Sequence, residues 1–310
     1  MNFLLSLMKK FNKEIVRTSI ILSFPLLLFC FYHCKKAVSQ DNPKNRFSLD
    51  SNFNSVVRDS FMISKISNDT LGYNLYQPAD TSLQKLPVLF MLHGHGGNHY
   101  DWFDIEEGNL EHILDSLIQQ KRIPPLVAVS LEAQNSWYVN HDSIQMEDIY
   151  IKEFIPFIKN NNEIMIDSES YYIIGNSMGG YGALNYALKY PKLFKSAMLL
   201  APAAYNPLPP EISSSRKIPV YQKDEVFNDS IWDHHLYTNI KLEEDRSIYP
   251  KFFLSTGDDD EFDIFNVVVE LKSFFEENNM QQEVTVVNGN HGWKVWRECF
   301  KRDIARMLEN

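Results

Sequence analysis

The chain has 310 residues, 44% of them hydrophobic, and a formal net charge of −10. This length is sufficient for one large α/β domain or two small ones. Phosphate binding requires a basic face, so the acidic composition argues against nucleic acid as a partner. The three cysteines form neither a disulfide framework nor a zinc-binding pattern.

Residues 1–34 have the composition of an export signal. A basic region ending at Arg17 precedes the apolar stretch TSIILSFPLLLFCFYHC, which is short for a membrane-spanning helix. The stretch ends at Cys34 without an A-x-A-like cleavage site, and it resembles a bacterial lipoprotein signal, in which the cysteine is lipidated and becomes the new N-terminus. The bulky His33 departs from that pattern. An uncleaved membrane anchor and cleaved secretion are the alternatives, and all three predict an exported protein facing the periplasm or the cell exterior.

Residues 35–57 are polar and aperiodic, which predicts a flexible tether before a folded domain at 58–310. The domain begins with two β-type runs, SFMISKIS and TLGYNLYQP, whose spacing predicts an antiparallel hairpin. Continuous apolar runs then predict strands that are buried on both faces. They cover 87–92, 125–131, 171–175, 196–202, 251–257 and 283–289.

Helical patterns alternate with these strands. They cover 109–120, 146–161, 177–190, 264–279 and 294–310, and Pro156 is expected to kink or end the second of them. The alternation predicts an α/β fold with a mostly parallel sheet and helices on both faces. The long irregular segment 203–250 follows the carboxyl end of a strand and is expected to form a cap-like insertion over a site.

A G-x-S-x-G motif, GNSMG, lies between the strand at 171–175 and the helix that follows. A serine on such a tight turn projects its hydroxyl above the sheet, and the helix N-terminus favours negative charge there. This context favours Ser177 as a nucleophile. The alternative is a glycine-rich helix start with Ser177 as a capping residue.

A base and an acid are predicted at later strand ends, where open α/β sheets place their sites. His291 lies between the last strand and the last helix, and the alternative for it is a surface histidine. One carboxylate of the run GDDDEFD, which spans Gly257 to Asp263, would orient this histidine, and the others would belong to a solvated turn. The run lacks the spacing of a calcium-binding EF-hand loop.

The loop MLHGHGGNHYDW predicts an anion site after the strand at 87–92. Its glycines, Gly94 among them, allow the backbone to approach a substrate, and the expected oxyanion-hole donors are the N–H groups of His95 and Met178. The histidines of this loop could instead suggest a metal cluster. They lack a fourth ligand, so no metal is expected.

Four segments together resemble the "Putative esterase" family of the α/β-hydrolase fold. They are LFMLHGHGGNHYDWF, YYIIGNSMGGYGALNYALKYPKLF, STGDDDEF and GNHGWKVW. The family includes feruloyl and acetylxylan esterases of carbohydrate esterase family 1, S-formylglutathione hydrolase, enterochelin esterase and mycolyltransferases of the antigen 85 type. The resemblance covers 58–310 and implies a serine carboxylesterase without a cofactor. It also implies that the acid of the G-x-x-D pattern is Asp260, with Asp258 as the fallback.

The sequence restricts the substrate less than it restricts the catalytic residues. Trp137 and Tyr138, which follow the fourth strand, and Trp232 in the cap-like insertion are expected to bind an apolar acyl group or a sugar ring, with ordinary core packing as the alternative. Esters on saccharides, with acetyl or feruloyl groups, fit an exported esterase of this family. Two other functions stay open, an acyltransferase and a non-catalytic carbohydrate-binding protein. The sequence makes no prediction of oligomeric state.

Overall fold

The computed structural model describes residues 55–79, 85–142, 144–160 and 164–309. The predicted export signal and all but the last three residues of the predicted tether lie outside these ranges. Within the described ranges, none of the helices has the length and apolar character that a membrane crossing needs. The first strand begins at Val56, two residues before the domain start expected at residue 58.

An eight-stranded sheet forms the centre of the domain. Its strands are β1 Val56–Ile63, β2 Thr70–Gln77, β3 Leu86–Leu92, β4 Val127–Leu131, β5 Ile166–Asn176, β6 Ser196–Leu200, β7 Lys251–Gly257 and β8 Gln282–Val287. They lie in the order β1-β2-β4-β3-β5-β6-β7-β8. The two N-terminal strands are antiparallel to each other and β2 is antiparallel to β4, whereas the strands from β4 to β8 are parallel. This is the predicted α/β arrangement with an N-terminal antiparallel hairpin.

The register of the parallel strands gathers their carboxyl ends. Leu92 at the end of β3 is paired with Gly175 in β5, and Asn176 is paired with Leu200 at the end of β6. Gly257 at the end of β7 is likewise paired with Val287. Val287 ends β8, so the loops that follow these five strands, β3 and β5 to β8, meet at one edge of the sheet, where parallel α/β folds bind their ligands.

Helices cover both faces of this sheet. They are α1 Leu110–Gln119, α2 (Met146–Asp148, Ile149–Phe154 and Ile155–Lys159), α3 Met178–Lys189, α5 Ile264–Glu277 and α6 Trp293–Leu308, whereas α4 Asp229–His234 belongs to the cap-like segment. Helix α3 is buried almost along its whole length, because it packs against the central strands under the cap-like segment. The side chains of α1, α5 and α6 are buried on one face only, which matches their periodic sequences.

Helix α2 differs from its prediction around Pro156. It starts as Met146–Asp148, continues through a π-helical turn at Ile149–Phe154 and ends as Ile155–Lys159. Pro156 directly follows the π turn and has no N–H to donate to the preceding turn of the helix. The helix therefore continues past the proline, and the irregularity appears as the π turn before it.

Candidate active site

Ser177 lies at the sharp turn between β5 and α3. Its backbone has φ 54° and ψ −116°, a conformation that costs energy for a residue with a side chain. Three backbone hydrogen bonds hold it: the Ser177 N–H donates to Leu200 O, and the Ser177 carbonyl accepts from the N–H groups of Tyr181 and Ala203. The turn is thus fixed by the neighbouring strand, by its own helix and by the start of the cap-like segment.

The two glycines of the motif are required by close backbone contacts. A Cβ atom on Gly175 would lie 2.1 Å from Gly179 O, and one on Gly179 would lie 2.1 Å from Leu92 O. Both distances are far below van der Waals contact, and the opposing atoms belong to the backbone, which cannot rotate away. These positions must be small for Ser177 to be held above the sheet.

Replacing Gly179 by alanine is expected to destabilise the domain by about 3 kcal/mol or more, because β3 and α3 would be forced apart. The melting temperature should fall by roughly 6–12 °C for a domain of this size, as measured by circular dichroism. Gly292→Ala is the matched control, since the nearest atom to its added Cβ is a side-chain oxygen 3.7 Å away. Similar melting temperatures for the two variants would contradict the packing argument.

His291 and Asp260 form a hydrogen-bonded pair beside the serine loop. The distance from His291 Nδ1 to Asp260 Oδ2 is 2.7 Å, and the Asp260 side chain has no exposed surface. The other carboxylate oxygen accepts from the Phe262 N–H at 3.0 Å, so both oxygens of Asp260 are used. The bond to an ionised carboxylate places the His291 proton on Nδ1 and leaves Nε2 as the basic nitrogen.

Asp258 has a different role in the same loop. Its Oδ1 accepts from the Gly289 N–H at 2.9 Å, and this bond holds the pKa of the exposed Asp258 carboxyl below its usual range. Asp258 therefore joins the loop after β7 to the loop after β8. Of the two carboxylates considered from the sequence, Asp260 is the one that contacts His291.

The loop after β3 is organised by a buried histidine. His93 Nε2 accepts from the Ala133 N–H at 3.0 Å, and Nδ1 lies 2.9 Å from Gly94 O, to which it donates. The hydroxyl of Tyr138 donates to His93 O at 3.1 Å. Burial lowers the pKa of His93, so the ring is neutral and fixed in one tautomer. This histidine shapes the loop by hydrogen bonds to the backbone.

The burial of neutral His93 predicts a loss of stability at acidic pH. Its pKa is lower in the folded than in the unfolded state, so the unfolded chain binds more protons as the pH falls below about 6.5. The free energy of unfolding, measured with urea, should decrease from pH 7 to pH 5. His93→Gln keeps an acceptor and a donor but cannot gain a proton, so its decrease should be smaller. An equal decrease in both proteins would contradict the assignment.

The two expected oxyanion donors belong to the serine turn and to the loop after β3. Met178 is the first residue of α3, so its N–H has no acceptor within the helix, and its side chain is buried in the core. His95 lies in the loop after β3 and lines the cavity that contains Ser177, as does Gly94. A Cβ added to Gly94 would lie 2.8 Å from Asn176 Nδ2. The loop after β3 therefore lies close to the serine turn.

The serine and the histidine open into one cavity of about 620 Å³. Aromatic side chains form much of its wall: Trp137, Tyr205, Phe262, Trp293 and Trp296. The predicted cap-like segment contributes Ala203, Tyr205, Ile212, Ser213, Ser214 and Lys217 to the same wall. Asp101 and Glu107 also line it, and burial raises the pKa of both carboxyl groups.

Two of the three aromatic residues expected to contact a substrate lie behind this wall. Trp137 lines the cavity, but it is only 1% exposed and its ring packs against Tyr181 and Tyr221. Tyr138 is fully buried against Gly182, and its hydroxyl holds His93 O. Trp232 is buried within the cap-like segment and packs on Trp137 at 6.1 Å between ring centroids. The expectation of substrate contact is therefore corrected for Tyr138 and Trp232.

The sequence reasoning missed the aromatic residues that surround His291. Phe262 and Trp296 pack against the imidazole edge to face, at 4.9 and 5.2 Å between ring centroids. Glu261 accepts from the His291 N–H at 3.1 Å and so fixes the backbone of the histidine loop. The only signal for these residues was their nearness in sequence to Asp260 and His291.

Comparison with known proteins identifies the family. The model of the family described as "Putative esterase" matches residues 64–307. This chain belongs to that esterase family. It is a carboxylic ester hydrolase with the α/β-hydrolase fold, as the resemblance of its motifs implied.

Individual relatives of this esterase are distant. An acetyl esterase from Caldicellulosiruptor saccharolyticus is 27% identical over 71% of this chain and 82% of its own length. An endo-1,4-beta-xylanase/feruloyl esterase from Xylanibacter ruminicola is 27% identical over 46% of this chain, but only 20% of that longer protein is covered. A solved ferulic acid esterase superposes with a TM-score of 0.69 at 21% identity, over 83% of this chain and 99% of its own.

Proposed function

We propose that this esterase hydrolyses its substrates through a covalent acyl-enzyme on Ser177. The observation that carries the proposal is the 2.7 Å bond between His291 and Asp260 in the cavity that also contains Ser177. A base oriented in this way can take the proton of a serine hydroxyl, which is otherwise a weak nucleophile. The strained turn at Ser177 supports the same conclusion.

Each step has a residue to perform it. His291 Nε2 removes the proton as Ser177 Oγ attacks the ester carbonyl, and Asp260 stabilises the imidazolium. The N–H groups of His95 and Met178 stabilise the oxyanion. His291 then gives the proton to the leaving alcohol. A water molecule, activated by the same histidine, hydrolyses the acyl-enzyme and restores the serine.

We propose esters of saccharides that carry acetyl or feruloyl groups as the substrate class. The cavity has the size and the mixed aromatic and polar lining of a small-molecule site. Partly exposed aromatic residues of the wall, such as Phe262 and Trp293, suit an aromatic acyl group or the apolar face of a sugar. The names of the acetyl esterase and of the xylanase/feruloyl esterase relatives point to the same class.

A panel of esters tests this proposal. Acetylated xylo-oligosaccharide, methyl ferulate and p-nitrophenyl esters of two to twelve carbons are compared, with Ser177→Ala as the blank for each. We expect the highest kcat/KM for an acetyl or feruloyl ester. A preference for long acyl chains would overturn the substrate class. Formation of a new ester with added alcohol, in place of free acid, would assign the enzyme to the acyltransferases.

We also propose that the enzyme is exported and tethered to a membrane by a lipid on Cys34. The support is the order of basic, apolar and cysteine residues in positions 1–34, followed by a polar segment. Full-length protein expressed in bacteria should incorporate labelled palmitate, and Cys34→Ala should not. An unlabelled wild-type protein would contradict lipidation: membrane retention would then indicate an uncleaved anchor, and release would indicate cleaved secretion.

A further inference from the structure

A second pocket, of about 320 Å³, lies beside the C-terminal half of α3. It is formed by α3 and by the cap-like segment around residues 234–241. None of its lining residues lines the cavity that contains Ser177. This second pocket therefore has no role in the proposed ester hydrolysis.

The lining of this pocket is basic, although the protein is acidic. The whole chain has 40 acidic and 30 basic residues, apart from histidine. Among the described residues that line the pocket there is no aspartate or glutamate, and four carry nitrogen bases: Lys189, His234, His235 and Lys241. Such a lining favours a negatively charged ligand.

One of the two lysines is already paired. Lys189 Nζ lies 2.6 Å from Glu147 Oε2, and the Tyr190 hydroxyl donates to the other oxygen at 2.8 Å. Glu147 is buried outside the pocket lining, so this pair balances its charge. The ammonium of Lys189 keeps further N–H donors, and the exposed Lys241 contributes a second positive charge at the pocket.

The buried amide of Asn185 gives a second, independent indication. Asn185 lines the pocket and is only 2% exposed. Among the described residues, its Nδ2 makes no well-formed hydrogen bond, and the polar group beside it is the Tyr181 hydroxyl. The nearby Tyr181 hydroxyl donates to His235 O at 2.7 Å. An unsatisfied buried amide is costly, and a ligand oxygen would remove that cost.

The neighbouring histidine suits a polar ligand as well. Burial lowers the pKa of His235 to about 4, so its ring is neutral at neutral pH and offers one donor and one acceptor. Since Glu147 balances the charge of Lys189, the unbalanced lysine charge at the pocket is that of Lys241.

We propose that this pocket binds a small oxyanion, a carboxylate or a phosphate, through Asn185, Lys189 and Lys241. A volume near 320 Å³ is at the low end for ligand pockets and fits an inorganic phosphate or one acidic sugar. Charged ligand oxygens accept strong hydrogen bonds from ammonium groups. Inorganic phosphate and the carboxylate of an acidic sugar share this chemistry, so the test includes both.

Isothermal titration calorimetry with inorganic phosphate and with glucuronate tests the proposal, with glucose as the neutral control. Ionic strength is matched with sodium chloride in every titration, because nonspecific charge effects are screened by salt. We expect saturable binding of at least one anion and none of glucose. Lys241→Gln should weaken binding about tenfold, which is the size of one charge-assisted hydrogen bond. Lys301→Gln, on the exposed face of α6, should bind as the wild type does.

A second variant tests the contribution of Asn185 to the pocket. Asn185→Asp keeps the shape of the side chain but adds a carboxylate, so it should weaken binding more than Lys241→Gln does. Folding of this variant is checked by circular dichroism. Lys241→Glu, at an exposed position, provides the same charge test without risk to the fold. The same binding constant is expected in Ser177→Ala, which separates this site from ester hydrolysis.

Binding of phosphate alone would identify a phosphate site, and binding of glucuronate alone would identify a site for acidic sugars. Either result supports an oxyanion pocket. The proposal is overturned if neither anion binds saturably, or if Lys241→Glu and Asn185→Asp bind as tightly as the wild type.

Discussion

Ser177→Ala is expected to lower kcat/KM for p-nitrophenyl acetate by about 10⁴-fold or more, because the attacking oxygen is lost while the cavity remains. The φ of 54° at this position is fixed by backbone hydrogen bonds that alanine keeps. The melting temperature should therefore change little. The measurement is an initial-rate assay with purified proteins. The residual rate of the variant is the upper limit for the activity of any contaminating esterase.

Ser214→Ala is the matched control for this experiment. Ser214 lines the same cavity from the cap-like segment but belongs to none of the proposed catalytic hydrogen bonds. Its replacement should leave kcat/KM within about threefold of the wild type. Equal activity of Ser177→Ala and wild type would exclude the acyl-enzyme on Ser177.

Asp260→Asn is expected to lower kcat by about 10⁴-fold, because an amide that donates to His291 would favour the wrong tautomer. The His291 proton would move to Nε2, and that nitrogen would no longer accept the serine proton. The variant keeps the size of the side chain. The measurement is again p-nitrophenyl acetate hydrolysis, with circular dichroism to verify the fold.

Asp258→Asn provides the control two residues away. Its carboxylate oxygen bonds the Gly289 N–H, and an asparagine oxygen can accept the same bond. We expect less than a tenfold loss of activity. A larger loss for Asp258→Asn than for Asp260→Asn would reverse the assignment of the acid and restore the alternative left open by the sequence.

The sheet was predictable because its strands have unambiguous patterns. The apolar run 251–257 coincides with β7, and the hairpin and the parallel order follow from alternation of elements. The boundaries of β5 were not predictable, since its first residues, 166–170, are mostly polar and partly exposed. Only Ile166 of these residues is paired with β3, and the register then shifts before pairing resumes at Tyr171, an irregularity that the local sequence does not encode.

The positions of the site residues were predictable for a topological reason. Ser177, His291 and Asp260 each follow a parallel strand, and parallel strands bring their carboxyl ends to one edge. The directions of the aromatic side chains were not predictable. Trp137 and Tyr138 are adjacent and both have positive φ, yet Trp137 lines the cavity and Tyr138 does not. That difference is decided by packing against α3 and the cap-like segment.

The most direct test of the account is covalent labelling with a fluorophosphonate, followed by mass spectrometry of the peptides. Such probes phosphonylate a serine that a neighbouring base activates. The account predicts one adduct on the wild-type protein, located on Ser177, and none on Ser177→Ala. An adduct on another residue, or esterase turnover by a protein that the probe leaves unlabelled, would contradict it.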